Sequence, residues 1–237
     1  PVDKIITWND GVDNEWREEL PKYIKKNVKV AIEKFKISTL VLNYISSLYE
    51  QQSFKNISPN LDLIRMVKTE EELKIAKSAG KVAEAMMYAG KDAIGHNVPE
   101  YEVALATSQA GTRKAAEILD KEFQESDISP VIHFLQIMAS GEDLPKTHHR
   151  SSTKLIKDGE PVFLCFCGMT NFHKFKLGFD RTFWLKEIRD ESQIKTYETA
   201  VRSQKAALSV LGPGVKAEDI HAAYADTIQS AGYPYPT

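Results

Sequence analysis

The 237-residue sequence has few cysteines, no long apolar run and no excess of charge of one sign. Each scarcity excludes something. The 2 cysteines, Cys165 and Cys167, stand two positions apart and cannot tie distant parts of a fold together, which points to a reducing, cytoplasmic home rather than a secreted one. Their Cys-Phe-Cys run lacks the second pair that a structural zinc site needs, so it reads as two small apolar residues of a buried strand. No uninterrupted apolar stretch approaches the ~20 residues that cross a bilayer, and no signal peptide is visible. With 31 basic and 33 acidic residues the net charge is −2, which gives no electrostatic case for nucleic acid or a membrane surface as partner. Internal repeats and low-complexity tracts are missing. A 42% hydrophobic, 27% charged composition belongs to an ordinary globular protein and excludes wholesale disorder. The sequence opens on Pro1 rather than Met and stops at Tyr235-Pro-Thr237, so it is expected to be a fragment.

What is present is clear periodicity. Residues 1–25 are polar, with a helix expected around Asp13–Lys26. Val28–Ile32 alternates at period 2 and reads as a strand. Residues 38–51 suit a helix that Ser38 can cap, and Lys55–Ser58 with Asn60–Ile64 closes an α/β piece. At about 60 residues this piece is too short for a core of its own, so it reads as the remnant of a larger N-terminal domain. Thr69 to Glu72 then forms a capping box. Behind it Leu73, Ala76, Gly80, Ala83 and Met87 make a helical stripe that ends near Gly90 and Gly95. A second helix starts at Val98-Pro99-Glu100, with Pro in the first helical turn, and runs to about Phe123. A third starts at Asp190 and breaks at Gly212-Pro213-Gly214; a fourth spans Ala217–Ala231. Between the second and third, Pro130–Ala139, Pro161–Cys167 and Lys174–Phe183 read as strands, the last two joined as a hairpin around Gly168–Phe172. Two helices, an antiparallel sheet and two more helices make an α+β arrangement.

The last strand carries the first chemical signal. Alternation puts Phe175, Leu177, Phe179, Arg181 and Phe183 on one side and Lys174, Lys176, Gly178, Asp180 and Thr182 on the other. The first side suits packing on helices. The second puts a carboxylate, Asp180, amid an otherwise apolar sheet, where it must be paired, hydrogen-bonded or functional; a bridge from Asp180 to an arginine that only ties strands together is the structural alternative. Of the 6 histidines, His148 and His149 are adjacent and point apart on any regular element. A loop histidine taken alone reads as a solvated polar residue.

Taken in order, Ser140 to His148, Lys157 to Glu160, Asp180 to Phe183, Tyr197 and Gly212 to Gly214 resemble the pita-bread proteins: methionine aminopeptidase, aminopeptidase P, prolidase and creatinase. His148 fits the family histidine by its offsets from both Gly141 and Gly159. The resemblance implies an α+β pita-bread fold, with residues 1–62 the end of an α/β N-terminal domain and 63–237 the first half of the catalytic domain. It also implies that the other half follows Thr237, and that the chain alone is inactive. The metallopeptidases of this family place two metal-binding aspartates on the hairpin. Counting back from Arg181, those positions hold Cys167 and Gly178, which cannot replace a carboxylate pair.

Creatinase also lacks both aspartates, works without metal, and has an acidic residue directly before the Arg-Thr, where Asp180 stands here. The resemblance therefore implies a metal-free hydrolase with no cofactor. His148 would be the general acid and base, and Asp180, with Cys167 and Gly178 beside it, would line the substrate site. The implied reaction cleaves a non-peptide C–N bond in a small guanidino or cyclic amidine compound, ectoine-like molecules included, because Asp is one methylene shorter than the Glu expected in creatinase. A homodimer is the implied assembly, with a small-molecule substrate as the partner. Two other readings stay open: a metal-dependent Xaa-Pro aminopeptidase or dipeptidase with atypical ligands, and an inactive pita-bread binding protein.

Overall fold

The computed structural model describes residues 15–24, 28–49, 54–132, 136–166 and 172–235. They divide into two compact units at Glu70/Glu71.

The first unit alternates helix and strand: α1 (Glu15–Tyr23), β1 (Val30–Ile32), α2 (Thr39–Leu48), β2 (Phe54–Asn56) and α3 (Ser58–Met66). β1 and β2 run parallel, with Val30 opposite Phe54 and Ile32 opposite Asn56. A parallel pair needs a crossover, and α2 supplies it. Ser38 starts α2 as expected, its hydroxyl oxygen accepting the Val41 amide. Val30, Ile32, Ile45 and Tyr49 form the buried centre.

The second unit contains α4 (Glu70–Ala93), α5 (Glu100–Ile118), β3 (Gln136–Ser140), β4 (Pro161–Phe166), β5 (Asp180–Trp184), α6 (Glu191–Val210) and α7 (Ala217–Ser230). The three strands pair antiparallel in the order β3-β4-β5. Ala79, Val82 and Met86 of α4, Val103 and Ala115 of α5, and Met138, Val162, Leu164 and Phe166 of the sheet make one continuous core. Two glycines permit this closeness. A Cβ on Gly90 would lie 2.7 Å from a Thr107 methyl and 2.8 Å from Leu164, and one on Gly111 would lie 2.7 Å from Met86.

Several expectations shift. On α4 the buried line is Ala79, Val82, Ala83, Met86, Met87 and Gly90 rather than the stripe from Leu73, because Gly111 admits Met86, and Leu73 is left 39% exposed. Pro99 caps α5 from outside the helix, with Glu100 as its first residue. β3 begins at Gln136 rather than Pro130, and residues 133–135 lie outside the described set. The strand expected over Lys174–Phe183 begins only at Asp180. Its reversal lies at His173 and Lys174, both left-handed (φ +49° and +61°), with Phe172 and Phe175 paired across them. Positive φ at both central residues is the pattern of a tight hairpin turn. The connection expected at Gly168–Phe172 falls, apart from Phe172, outside the described residues. The facing of the strand holds: Phe175, Leu177, Phe179 and Phe183 pack on the core, and the Arg181 guanidinium sits 5.5 Å from the Phe179 ring centroid.

No helix among the described residues is long and apolar enough to cross a membrane. Cys165 is 5% exposed within β4, as expected of a small residue in a buried strand, and it is disulfide-bonded.

Candidate functional site

β3 leaves the sheet at Ser140 and runs into a loop that carries His148. The loop begins with left-handed Gly141 (φ +56°), where a Cβ would lie 2.7 Å from a Glu160 carboxylate oxygen. The same carboxylate accepts the Lys157 amide at 3.1 Å. Ser140-Gly141 and Lys157–Glu160, two motif segments read separately in the sequence, thus touch each other. The loop ends by rejoining the sheet on the free side of β3: the Met138 amide donates to the His149 carbonyl at 3.1 Å, and Ile137 bridges Arg150.

His148 is exposed and left-handed, at φ +57°. Such a backbone is uncommon for a residue with a Cβ. His149 turns the other way, its Nδ1 lying 2.8 Å from the Met138 carbonyl oxygen. The pair therefore divides as expected, one ring to solvent and one to the backbone.

Across the sheet, register defines a row. Arg150 stands opposite Ile137, Ile137 opposite Cys165, and Cys165 opposite Asp180. Directly paired residues share a face, so Arg150 and Asp180 project from the same side, three strand spacings or ~14 Å apart along the row. Asp180 is exposed and its carboxylate has no hydrogen bond or ion pair among the described residues. The strand-tying alternative does not hold, since Arg181 donates to the Asp180 backbone carbonyl instead, at 2.6 Å. Asp180 stands on β5 and His148 on the loop that rejoins the sheet at Arg150, with no contact between the two among the described residues. Gly178 is exposed and offers no side-chain donor, and Cys167 lies outside the described residues.

The sequence reading missed the groups beneath the loop. Glu100 is fully buried at the start of α5. One of its oxygens accepts the Ser140 hydroxyl at 2.8 Å; the other accepts the Ser152 hydroxyl at 2.7 Å and the Ser152 amide at 3.0 Å. Lys154 donates to the Ser140 carbonyl at 2.8 Å and to Asp143 at 2.9 Å. Asp143 also takes Lys146, and these two ammonium groups, Lys146 first, hold its carboxyl down at about 2. The one hint in the sequence was an acidic residue in the first helical turn, a position ordinarily explained by the helix dipole. At the other end of the sheet Tyr197 of α6 meets Trp184 of β5 edge to face at 5.4 Å, which gives that motif residue a packing role.

The donors among the described residues do not suit a pair of metal ions. Among the described residues no group of three or more His, Cys, Asp or Glu side chains could hold one. On β5 Asp180 stands alone, facing a disulfide-bonded Cys165, and Gly178 has nothing to offer.

Comparison with known proteins agrees with this architecture. Residues 74–237 match the profile of Metallopeptidase family M24. Agropine synthesis cyclase of Rhizobium rhizogenes is 27% identical over 78% of this chain and 46% of its own length. A putative dipeptidase of Bacillus subtilis, YkvY, is 26% identical over 97% of this chain and 60% of its own. Creatinase of a Bacillus species is 25% identical over 69% and 40%. The solved structure of a dipeptidase from Pyrococcus horikoshii superposes with a TM-score of 0.73 at 26% identity, covering 96% of this chain and 59% of that one. The chain thus spans about half the length of the relatives it matches.

Proposed function

The chain belongs to metallopeptidase family M24, and within that family we propose that it forms part of a metal-independent, creatinase-like hydrolase acting on a non-peptide C–N bond of a small cationic guanidino or cyclic amidine compound. The observation that carries this reading is β5. It opens on Asp180, exposed and without a partner among the described residues, and two residues before it Gly178, one of the two positions where the metallopeptidases carry a ligand, has no side chain to supply one. A carboxylate in that condition is suited to accept charge-assisted hydrogen bonds from a cationic head group.

In this reading His148 takes a proton from water as the oxygen attacks the substrate carbon. It returns the proton to the leaving nitrogen as the C–N bond breaks, so the products are a carbonyl compound and an amine. An imidazole can both accept and donate a proton, which lets one residue serve in both directions. Asp180 holds the cation and orients the carbon. A small-molecule substrate and a homodimeric assembly belong to the same proposal.

The relatives named dipeptidase, one of them aligned over 97% of this chain, favour a second reading, a metal-dependent Xaa-Pro peptidase with unusual ligands. One experiment separates the two: metal content of the protein, followed by turnover of a panel of guanidino and cyclic amidine compounds and of Xaa-Pro dipeptides, with and without chelator. Chelator-resistant turnover of the cationic panel is expected. Two stoichiometric metal ions, with Xaa-Pro cleavage lost on chelation, would overturn the proposal.

A further inference from the structure

We propose that Glu100 is a positioning residue whose buried carboxylate clasps both stems of the loop that carries His148. The catalytic meaning of this clasp rests on the reading of His148 as the acid–base group. Ser140 is the last residue before the loop, and Ser152 follows its return to the sheet at Arg150. One oxygen of Glu100 holds the first stem and the other holds the second, at 2.8 Å and 2.7 Å to the two hydroxyls. Lys154 adds a second tie on the first stem, joining the Ser140 carbonyl to Asp143.

Two features raise this above ordinary helix capping. First, Glu100 is 0% exposed, and among the described residues no cation touches it. A charge in the first turn of a helix needs only the exposed dipole; burying it is costly unless its hydrogen bonds specify something. Here its three hydrogen bonds among the described residues go to the loop stems. Second, His148 holds a left-handed backbone at φ +57°. A non-glycine residue persists there only where its surroundings over-determine it. The neighbouring His149 ring lies 2.8 Å from the Met138 carbonyl, so the chain beside His148 is anchored on its returning stem.

The test uses the full chain. Glu100→Gln keeps the volume but turns one acceptor oxygen into a donor, which cannot accept the Ser152 amide or a serine hydroxyl proton. Amide hydrogen exchange over residues 141–151 is expected to quicken at least tenfold, while amides of β4, β5 and α4 change less than twofold. The imidazole resonance of His148, assigned by its absence in His148→Ala, is expected to move. Unchanged exchange in the loop, or equal acceleration throughout the unit, overturns the proposal. If Glu100→Gln does not fold, Ser140→Ala and Ser152→Ala each remove one arm and should each quicken exchange in their own stem; quickening in neither overturns it as well. Turnover separates this idea from the one it rests on. An inactive His148→Ala beside a Glu100→Gln protein with an unmoved loop refutes the clasp alone. A fully active His148→Ala refutes the role of His148, and the catalytic meaning of the clasp falls with it.

Discussion

Gly141→Ala tests the local geometry most directly, since two separate costs meet at that atom. The backbone at Gly141 is left-handed, φ +56°, which costs an L-residue ~1–2 kcal/mol. The new methyl would also lie 2.7 Å from Glu160 Oε1 and 2.8 Å from its Cδ. Those atoms end a flexible side chain and can swing away, but doing so gives up the hydrogen bond from the Lys157 amide at 3.1 Å. A bond to a charged acceptor is worth ~1.5–3 kcal/mol when shielded, and less here because the pair is exposed. The two costs together come to ~2–3 kcal/mol. For a unit of this size that lowers the melting midpoint by roughly 4–12 °C, at ~2–4 °C per kcal/mol. Urea unfolding of Gly141→Ala, Glu160→Ala and the double variant measures both parts. The steric part should vanish in the double variant, which is then more stable than the sum of the single effects by ~0.5–1.5 kcal/mol. Strict additivity, or a Gly141→Ala protein as stable as the parent, refutes the account of how the two motif segments meet.

Three further outcomes are expected. His148→Ala should abolish turnover while leaving the melting midpoint within about a degree or two, since an exposed ring contributes little packing; calorimetry beside the activity panel checks both halves. Asp180→Asn should weaken binding of a cationic substrate and leave the fold intact, read by calorimetric titration with guanidino compounds; unfolding with affinity retained would restore the structural role for Asp180. Asp143 titrates in the folded protein at about 2, below its unfolded value of 3.8, because Lys146 and Lys154 favour the ionised form. Its contribution is therefore full above about pH 4 and is lost as pH falls toward 2, so acid unfolding of Asp143→Asn should be less steep than that of the parent across that window.

How much of this could be read from the sequence depended on whether the signal was local. The facing of β5 was legible because alternation is a property of one strand, and Phe179, Arg181 and Phe183 fell on the core side as expected. The start of α2 was legible because a serine cap needs only its own next turn. The hairpin reversal was not, because His173 and Lys174 adopt left-handed conformations without the Gly or Asn that usually announces them. The register of α4 was hidden for another reason: Met86 rather than Met87 points deepest, because a glycine on a different helix, Gly111, leaves room for it.

Glu100 illustrates why a candidate site is harder to read than a fold. Its partners lie 40 and 52 positions away in the sequence, so no window centred on it contains a reason for its carboxylate. The same distance explains why the motif segments are individually loose and jointly specific. Ser140 must reach Glu100, Gly141 must leave room for Glu160, and Ser152 must return to the same carboxylate. Each requirement alone is met by a serine or a glycine, among the commonest residues in any protein. Together they fix the length of chain between the two stems, and with it where His148 emerges. The information sits in the spacing because the sheet and α5 set the distance the loop has to span.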